Sequence, residues 1–329
     1  METVNAQAIL QNIDNVRIGV IGDFCLDVYW YADMRMSELS RETPHYPLPV
    51  VREKESPGGA GNVACNLAAL SPKAVCVAGI VGRDWRGMLL RQRLEEHGID
   101  CTALISSPDC VTNTYIKPMR MGISDVIYED PRLDFENHAP TPQAAEAQLL
   151  QALETMAGNV DVLCVCDQMR YGCITETVRK RICELGANGL TVITDSRNRI
   201  GLYQNVIVKP NDVEAAAIAG CENLPLEDVA VKISEHTHRP SIITLGGKGC
   251  LVCQNGSVRH VAGRKVEPPL DTCGAGDTFL SALSSSFATG IDLADAAELA
   301  NAACAVTIRK IGTTGTANRA EILSELARY

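Results

Sequence analysis

The chain has 329 residues, 46% hydrophobic and 21% charged, a globular balance that excludes wholesale disorder. At about 150 residues per domain, this length makes one large domain or two small ones, either able to bury a sizeable core. The 30 Lys and Arg against 40 Asp and Glu leave a net charge of −10. No global field draws in polyanions, so nucleic acid is not an expected partner, whereas a small phosphorylated ligand can still be held by local backbone dipoles. No apolar run approaches the ~18 residues of a membrane span, and Met1 to Asp14 shows no basic segment ahead of an apolar one. The 14 cysteines are scattered along a long chain, the pattern of reduced core thiols in a cytoplasmic protein rather than of a disulfide scaffold.

Short β-rich runs alternate with helical patterns. Arg17 to Gly22 reads as a buried first strand, Ala60 to Leu70 as a helix, Ala74 to Ile80 as a strand and Trp85 to His97 as a helix. A helix over Pro142 to Met156 leads to a strand at Val160 to Cys166. Thr175 to Gly186 is helical, and strands follow at Leu190 to Thr194 and Asn205 to Val208. A helix starts at Asp212, a strand lies at Ser241 to Leu245, and long helices near Ala275 to Thr289 and Leu293 to Lys310 close the chain. This alternation predicts an α/β fold with a mostly parallel sheet and helices on both faces. Two stretches, roughly residues 46–56 and 112–130, look extended with no helix between strands. They read as a small antiparallel lobe inserted as a lid over the carboxyl ends of the strands, with edge strands of the main sheet as the plainer alternative.

The segment Asp271-Thr-Cys-Gly-Ala-Gly-Asp277-Thr-Phe precedes a helical pattern. Gly274, Ala275 and Gly276 therefore lie at a helix N-terminus, where N–H groups are unpaired and the dipole is positive. Glycine lets the backbone approach an anion closely, which suits a transferring phosphoryl group. A carboxylate at the same place, Asp277, is close enough to take a proton from an attacking hydroxyl. The bland reading is a turn with an N-capping Asp.

The nine-residue string resembles the C-terminal signature of the ribokinase-like (PfkB) carbohydrate kinases. Gly58-Gly-Ala-Gly-Asn62-Val-Ala64 is similar to the family's N-terminal signature, and Gly22-Asp23 with Asp27 to its sugar-contacting entry. Lys209-Pro-Asn211-Asp-Val-Glu214 looks like its Asn-x-x-Glu element, and Thr244 to Gly249 like its nucleotide-loop strand. Asn301 and Gly312 also fall in family order, so the likeness covers nearly the whole chain. Gly59-x-Gly61-x-x-Ala64 also fits a dinucleotide fingerprint, but Arg52 to Pro57 before it is charged where that motif needs a buried strand.

The resemblance implies a single ribokinase-like domain over 1–329, three-layer α/β/α, with the lid inserted. It implies an ATP-dependent sugar kinase with Asp277 as base and Gly274 to Gly276 as anion hole. Asp23, Asp27, Gly58, Gly59 and Asn62 are then expected at the sugar, and Thr244, Gly246, Gly249, Asn211 and Asn301 at the nucleotide. Pro-Asn-x-x-Glu also reads as a capping box. Asn211 and Glu214 are expected both to cap a helix and to organise water around Mg²⁺. Asp271, Thr307, Gly312 and Thr316 match positions that hold a monovalent cation such as K⁺ in some members. The expected assembly is a homodimer through the lid.

Within the family the chain is most similar to the heptose-phosphate kinase branch, the kinase half of the bifunctional ADP-heptose synthesis enzyme. The similarity lies in Leu26 to Tyr31, Pro49 to Val51, Pro57 to Ala64 and Arg132 to Glu136, with Arg132 expected near the lid. The chain departs from that branch at Asp167 to Gly172, where Arg170 and Tyr171 surround a missing lysine, and at Asp195-Ser-Arg197. Arg170 and Arg197 are the cations available there for a substrate phosphate. With Tyr329 last, no nucleotidyltransferase domain is expected to follow. The rival readings are a fructose- or nucleoside-type kinase on the same fold, and a catalytically inactive sugar-binding protein. The intact Asp277 speaks against the last. His236 and His238 sit in a polar turn and are not expected to hold metal. Cys273 reads as a spacer in the signature loop, with a helix end that can lower its thiol pKa.

Overall fold

A computed structural model describes residues 3–218, 221, 223–312 and 314–328. After helix α1 (Thr3–Asn12), the chain enters β1 (Arg17–Gly22) and, with only Asp23 between, β2 (Phe24–Asp33). It returns along β3 (Val50–Gly59) and turns directly into α2 (Ala60–Ala69), followed by β4 (Ala74–Gly82), α3 (Trp85–Glu96) and β5 (Asp100–Ser107). Three strands then come without helices: β6 (Asn113–Met121), β7 (Tyr128–Glu129) and β8 (Leu133–Phe135). Alternation resumes with α4 (Gln143–Ala157), β9 (Val162–Asp167), α5 (Glu176–Ala187), β10 (Thr191–Ser196) and β11 (Ile207–Val208). Next are α6 (Asp212–Ala216), α7 (Leu226–Thr237), β12 (Ser241–Thr244) and a hairpin of β13 (Gly249–Gln254) and β14 (Ser257–Ala262). Helices α8 (Ala275–Phe287), α9 (Leu293–Thr307) and α10 (Arg319–Leu326) close the chain.

Among the described residues, nine strands form the main sheet in the order β14-β13-β12-β11-β10-β9-β1-β4-β5. Pairs from β5 to β12 are parallel, and only the β12-β13-β14 edge is antiparallel. Strand β9 shows why its sequence is apolar at nearly every position: it is buried on both faces. Val162, Cys164 and Cys166 face one core with α2, α8 and α9; Leu163 and Val165 face the other with α4, α5 and α7. The cysteines of this strand thus act as small apolar side chains, and all 14 cysteines are free thiols.

The lid is a second sheet in the order β3-β2-β6-β7, with β8 paired to β6. Its strands β3 and β6 fall where the sequence predicts them. Strand β2 does not; the residues around Asp27 were expected as the segment just after β1, not as a ten-residue strand. The expectation of an antiparallel lobe also needs correction, because β2 pairs antiparallel with β3 but parallel with β6. The reason is topological. Strands β1 and β5 point the same way in the main sheet, and β2 and β6 follow them out of it.

Asp23 sits at the junction of the two sheets and is 3% exposed. Its N–H donates to Cys166 O at 2.9 Å and its carbonyl accepts from Ala60 N at 3.0 Å. Its carboxylate accepts from the N–H groups of Gln168, Met169 and Cys173 at 2.9, 2.7 and 2.8 Å. Burial lifts its pKa to about 6 against the pull of those donors. Both oxygens thus accept from backbone, a structural role beside the expected contact with a sugar. Asp23 staples the β1–β2 junction to the loop after β9. Replacing Asp23 with Ala leaves those donors unpaired, at about 1 kcal/mol or more each. We expect Asp23→Ala to lose about 3 kcal/mol of stability in urea unfolding; a loss under about 0.5 kcal/mol would contradict the staple.

Candidate active site

Helix α8 opens at Gly274, whose φ of +76° is a left-handed conformation that favours glycine. A Cβ there would also lie 2.7 Å from Asn62 Nδ2, so α2 packs directly on the turn. Thr278 N–H donates to Gly274 O at 3.0 Å, and Ala275 N–H turns back to Thr272 O at 3.2 Å. The N–H groups of Gly276 and Asp277 come ahead of the Thr278 bond, in the turn where helical donors have no intrahelical acceptor.

Asp277 lies one residue beyond this turn and accepts from Asn62 Nδ2 at 2.7 Å. One face of the carboxylate looks into a cavity and the rest is enclosed. Burial raises its pKa to about 6; the Asn62 donor opposes the rise and the Asp195 charge adds to it. Lys209, 3% exposed, pairs with Asp195 at 2.9 Å. Burial pulls the ammonium pKa down, but Asp195 outweighs it and the net shift is upward. A Cβ built on Gly276 would lie 4.0 Å from Lys209 Nζ, so the ammonium faces the turn.

A cavity of about 500 Å³ opens beside this turn. It brings together Ala275, Gly276, Asp277, Asn211, Glu214, Thr244, Gly246, Gly249 and Asn301, with Arg197 also on its wall. Asn211 and Glu214 form the predicted capping box of α6, with Glu214 N–H donating to Asn211 Oδ1 at 2.8 Å and Asn211 N–H to Glu214 Oε2 at 2.9 Å. Asn301, on α9, donates to the carbonyls of Val261 and Ala262 at 3.3 and 3.2 Å, tying the end of β14 to the cavity wall. Among the described residues, no three His, Cys, Asp or Glu side chains cluster to hold a metal ion.

On the lid side, Asp27 projects from β2 and its carboxylate lies 3.3 Å from Lys117 Nζ on β6. Lys117 also donates to Tyr29 OH at 3.0 Å. Gly58 stands opposite on β3, where a Cβ would lie 2.5 Å from Asp27 Oδ2, and Gly59 caps α2 with φ +56°. These two glycines are therefore needed by the fold itself. Arg132 pairs with Asp134 at 2.6 Å and lies 4.5 Å from the Tyr115 ring centroid. Arg170 is exposed, 5.2 Å from the Tyr171 ring centroid, on a loop held from beneath. There buried Asp167 accepts from Ser196 Oγ, Tyr203 OH and Arg199 Nε at 2.8, 2.9 and 3.0 Å.

The expected monovalent-cation ligands do not form a free oxygen cage. Asp271 accepts from Cys273 N and Gly312 N at 3.0 and 2.9 Å. Thr307 Oγ1 is turned to Cys304 O at 3.2 Å. The carbonyl of Gly312 accepts from Lys54 Nζ at 3.1 Å and that of Thr316 from Lys310 Nζ at 2.6 Å. Lysine ammonium groups thus already donate to two of the carbonyls expected to hold a monovalent cation. Cys273 is exposed as a residue, while partial desolvation of its sulfur raises the thiol pKa, opposed by Lys117 and aided by Asp27, Asp271 and Asp277.

Sequence reasoning assigned no role to Lys117, Lys209 or Asp195. Lys209 had a signal, since it stands directly before Pro210-Asn211 at the end of a buried strand. Lys117 had none, because its nearness to Asp27 depends on the parallel β2–β6 pairing.

Comparison with known proteins places this geometry. The model of the pfkB family of carbohydrate kinases matches residues 19–320. Bifunctional protein HldE of Citrifermentans bemidjiense is 31% identical over 337 residues, covering 99% of this chain and 66% of that protein. HldE of Shewanella baltica is 32% identical over 331 residues, covering 97% and 65%. The chain thus spans about two thirds of these relatives' length. Ribokinase of Arabidopsis thaliana, solved with ribose and ATP, superposes with a TM-score of 0.70 at 17% identity, covering 95% of this chain and 99% of that one. Phosphofructokinase-2 of Escherichia coli, solved with substrates and products, gives 0.73 at 19% identity with the same coverage. No described helix is long and apolar enough to cross a membrane. The chain belongs to the pfkB family of carbohydrate kinases and is a sugar kinase, a phosphotransferase.

Proposed function

We propose that the chain transfers the γ-phosphoryl group of ATP to a hydroxyl of a sugar phosphate, of the heptose phosphate class. The observation that carries the kinase chemistry is Asp277, enclosed at the head of α8 between the Asn62 donor and the Lys209 ammonium. The sugar hydroxyl gives its proton to the Asp277 carboxylate as its oxygen forms a bond to the γ-phosphorus. The bond from that phosphorus to the β,γ-bridging oxygen breaks, and ADP leaves. The N–H groups of Gly276 and Asp277, with Lys209 beside them, meet the charge on the transferring group. Arg132 and Arg170 supply cations for the substrate's own phosphate, and Asp27 accepts from its hydroxyls. The HldE relatives favour a heptose phosphate over a fructose- or nucleoside-type acceptor.

The donor set fits Mg²⁺. Glu214 keeps Oε1 outside the capping box, and few direct protein ligands suit an ion that retains its waters and takes phosphate oxygens. Bound there, Mg²⁺ would neutralise charge on the nucleotide phosphates. Glu214 and Asn211 would orient its waters.

The lid also supports a homodimer. Val50 and Val51 lie exposed on its edge strand β3, and Ile127, Tyr128 and Leu133 are exposed on or beside β7 and β8. If this face is the interface, Val51→Asp should convert a dimer to a monomer in sedimentation equilibrium; a wild-type monomer at micromolar concentration would contradict it.

Turnover on a panel of sugars, sugar phosphates and nucleosides, read by ADP release, separates the acceptors. Preference for a nucleoside or for unphosphorylated fructose would overturn the heptose phosphate reading. Asp277→Asn should retain nucleotide binding and lose about 10³-fold in kcat; near-normal turnover would overturn the base. The carboxylate must be ionised to act, so wild-type kcat/KM, which reports the free enzyme, should fall as pH drops through about 6. Stability runs the other way. A carboxyl whose folded pKa is raised costs stability that grows as pH rises from its unfolded value of 3.8 and is complete above about 6, and that cost vanishes below 3.8. Asp277→Asn should therefore raise Tm by roughly 2–4 °C at about pH 8, with a smaller gain at about pH 5.

A further inference from the structure

Asn66 lies one turn beyond Asn62 on α2, is 3% exposed, and has no part in the chemistry just described. Its amide nitrogen donates to the backbone carbonyl of Asn62 at 2.9 Å and to Asn62 Oδ1 at 3.2 Å. Its amide oxygen accepts from Thr278 Oγ1, on α8, at 3.1 Å. Asn62 Nδ2 then donates to Asp277 Oδ2 at 2.7 Å. Four residues on two helices thus form one directed chain, Thr278 to Asn66 to Asn62 to Asp277.

The direction is fixed at both ends. A backbone carbonyl can only accept, so the nitrogen of Asn66, not its oxygen, must face Asn62. That nitrogen occupies Asn62 Oδ1 and leaves Asn62 to present its own nitrogen to Asp277. An ionised carboxylate likewise only accepts, so the two ends agree. Without Asn66, the Asn62 amide could turn over and set its oxygen against the carboxylate. That arrangement would favour the protonated acid.

We propose that Asn66 and Thr278 are positioning residues that hold Asn62 nitrogen-first toward Asp277, keeping the carboxylate ionised and aimed. The inference rests on the reading of Asp277 as the base. The other groups that face Asp277 are Asp195 and Lys209 from the ends of β10 and β11, Asp27 and Cys25 from β2, Cys166 from β9, and Cys273 from the loop before α8. Each lies outside the Asn66 chain, and the variants below leave each in place.

The test is the pH profile of kcat at saturating ATP, Mg²⁺ and acceptor, for Asn66→Leu and for the milder Thr278→Val, in the full chain. For Asn66→Leu the acid limb should move up by about one pH unit, a loss of about tenfold on that limb that shrinks toward alkaline pH. Thr278→Val should move it the same way by less. If Asn66→Leu does not fold, Thr278→Val alone decides. A limb that stays at the wild-type pH, with any loss uniform across pH, would reduce the chain to helix packing and overturn the proposal. Asp277→Asn run alongside separates the two readings. If it keeps turnover, the base assignment falls and this inference with it. If it loses turnover while the limb of the folded variants stays put, only the positioning role falls.

Discussion

A single hydrogen bond, from Asn62 Nδ2 to Asp277 Oδ2, joins residues 215 apart in sequence and fixes how the two halves of the site meet. Asn62 stands on the helix that follows the lid strand β3. Asp277 stands on the helix that follows the main sheet's antiparallel edge. The contact forces α2 and α8 together so closely that Gly274 cannot carry a side chain. Ser281 Oγ extends the same tie, lying 2.9 Å from Val63 O and 2.7 Å from Asp277 O with one proton to share between the two carbonyls. Small residues line this helix pair because backbone and carboxylate must approach each other. The helix after lid strand β3 and the turn at Gly274 beside the cavity meet at this contact.

The carboxylates of the molecule divide by what meets them. Asp23 is buried and Asp277 half-buried, and both have pKa values lifted to about 6. Asp23 receives three backbone N–H groups. Asp277 receives one amide donor and keeps a face open to the cavity. Asp195 and Asp27 are each neutralised by a lysine, Lys209 and Lys117. Those two lysines put positive charge at the head of α8 and in the lid, inside a chain whose net charge is −10.

Much of this was legible in the sequence because it is local. The glycine-rich turn before a helical pattern, the Pro-Asn-x-x-Glu cap and the alternation of buried strands with helices each depend on neighbours in the chain. The residues that escaped depend on pairing between distant segments. Asp23 looked like a sugar ligand because it stands beside the first strand in family order. The loop after β9, which supplies its three N–H donors, adds a structural role that spacing does not show. Lys117 met Asp27 only once β2 was seen to pair in parallel with β6. The lysine on Gly312, Lys54, reaches across 258 residues, a tertiary contact that no motif spacing encodes.

The most direct test of a buried base held by α2 is the titration of Asp277 itself. Difference infrared spectra of the full chain, wild type minus Asp277→Asn, isolate that carboxyl from Asp23. A carboxyl band titrating near pH 6 agrees with a side chain enclosed between Asn62 and Lys209. Titration near the ordinary 3.8 would mean that water reaches the carboxylate freely, and would contradict the site described above.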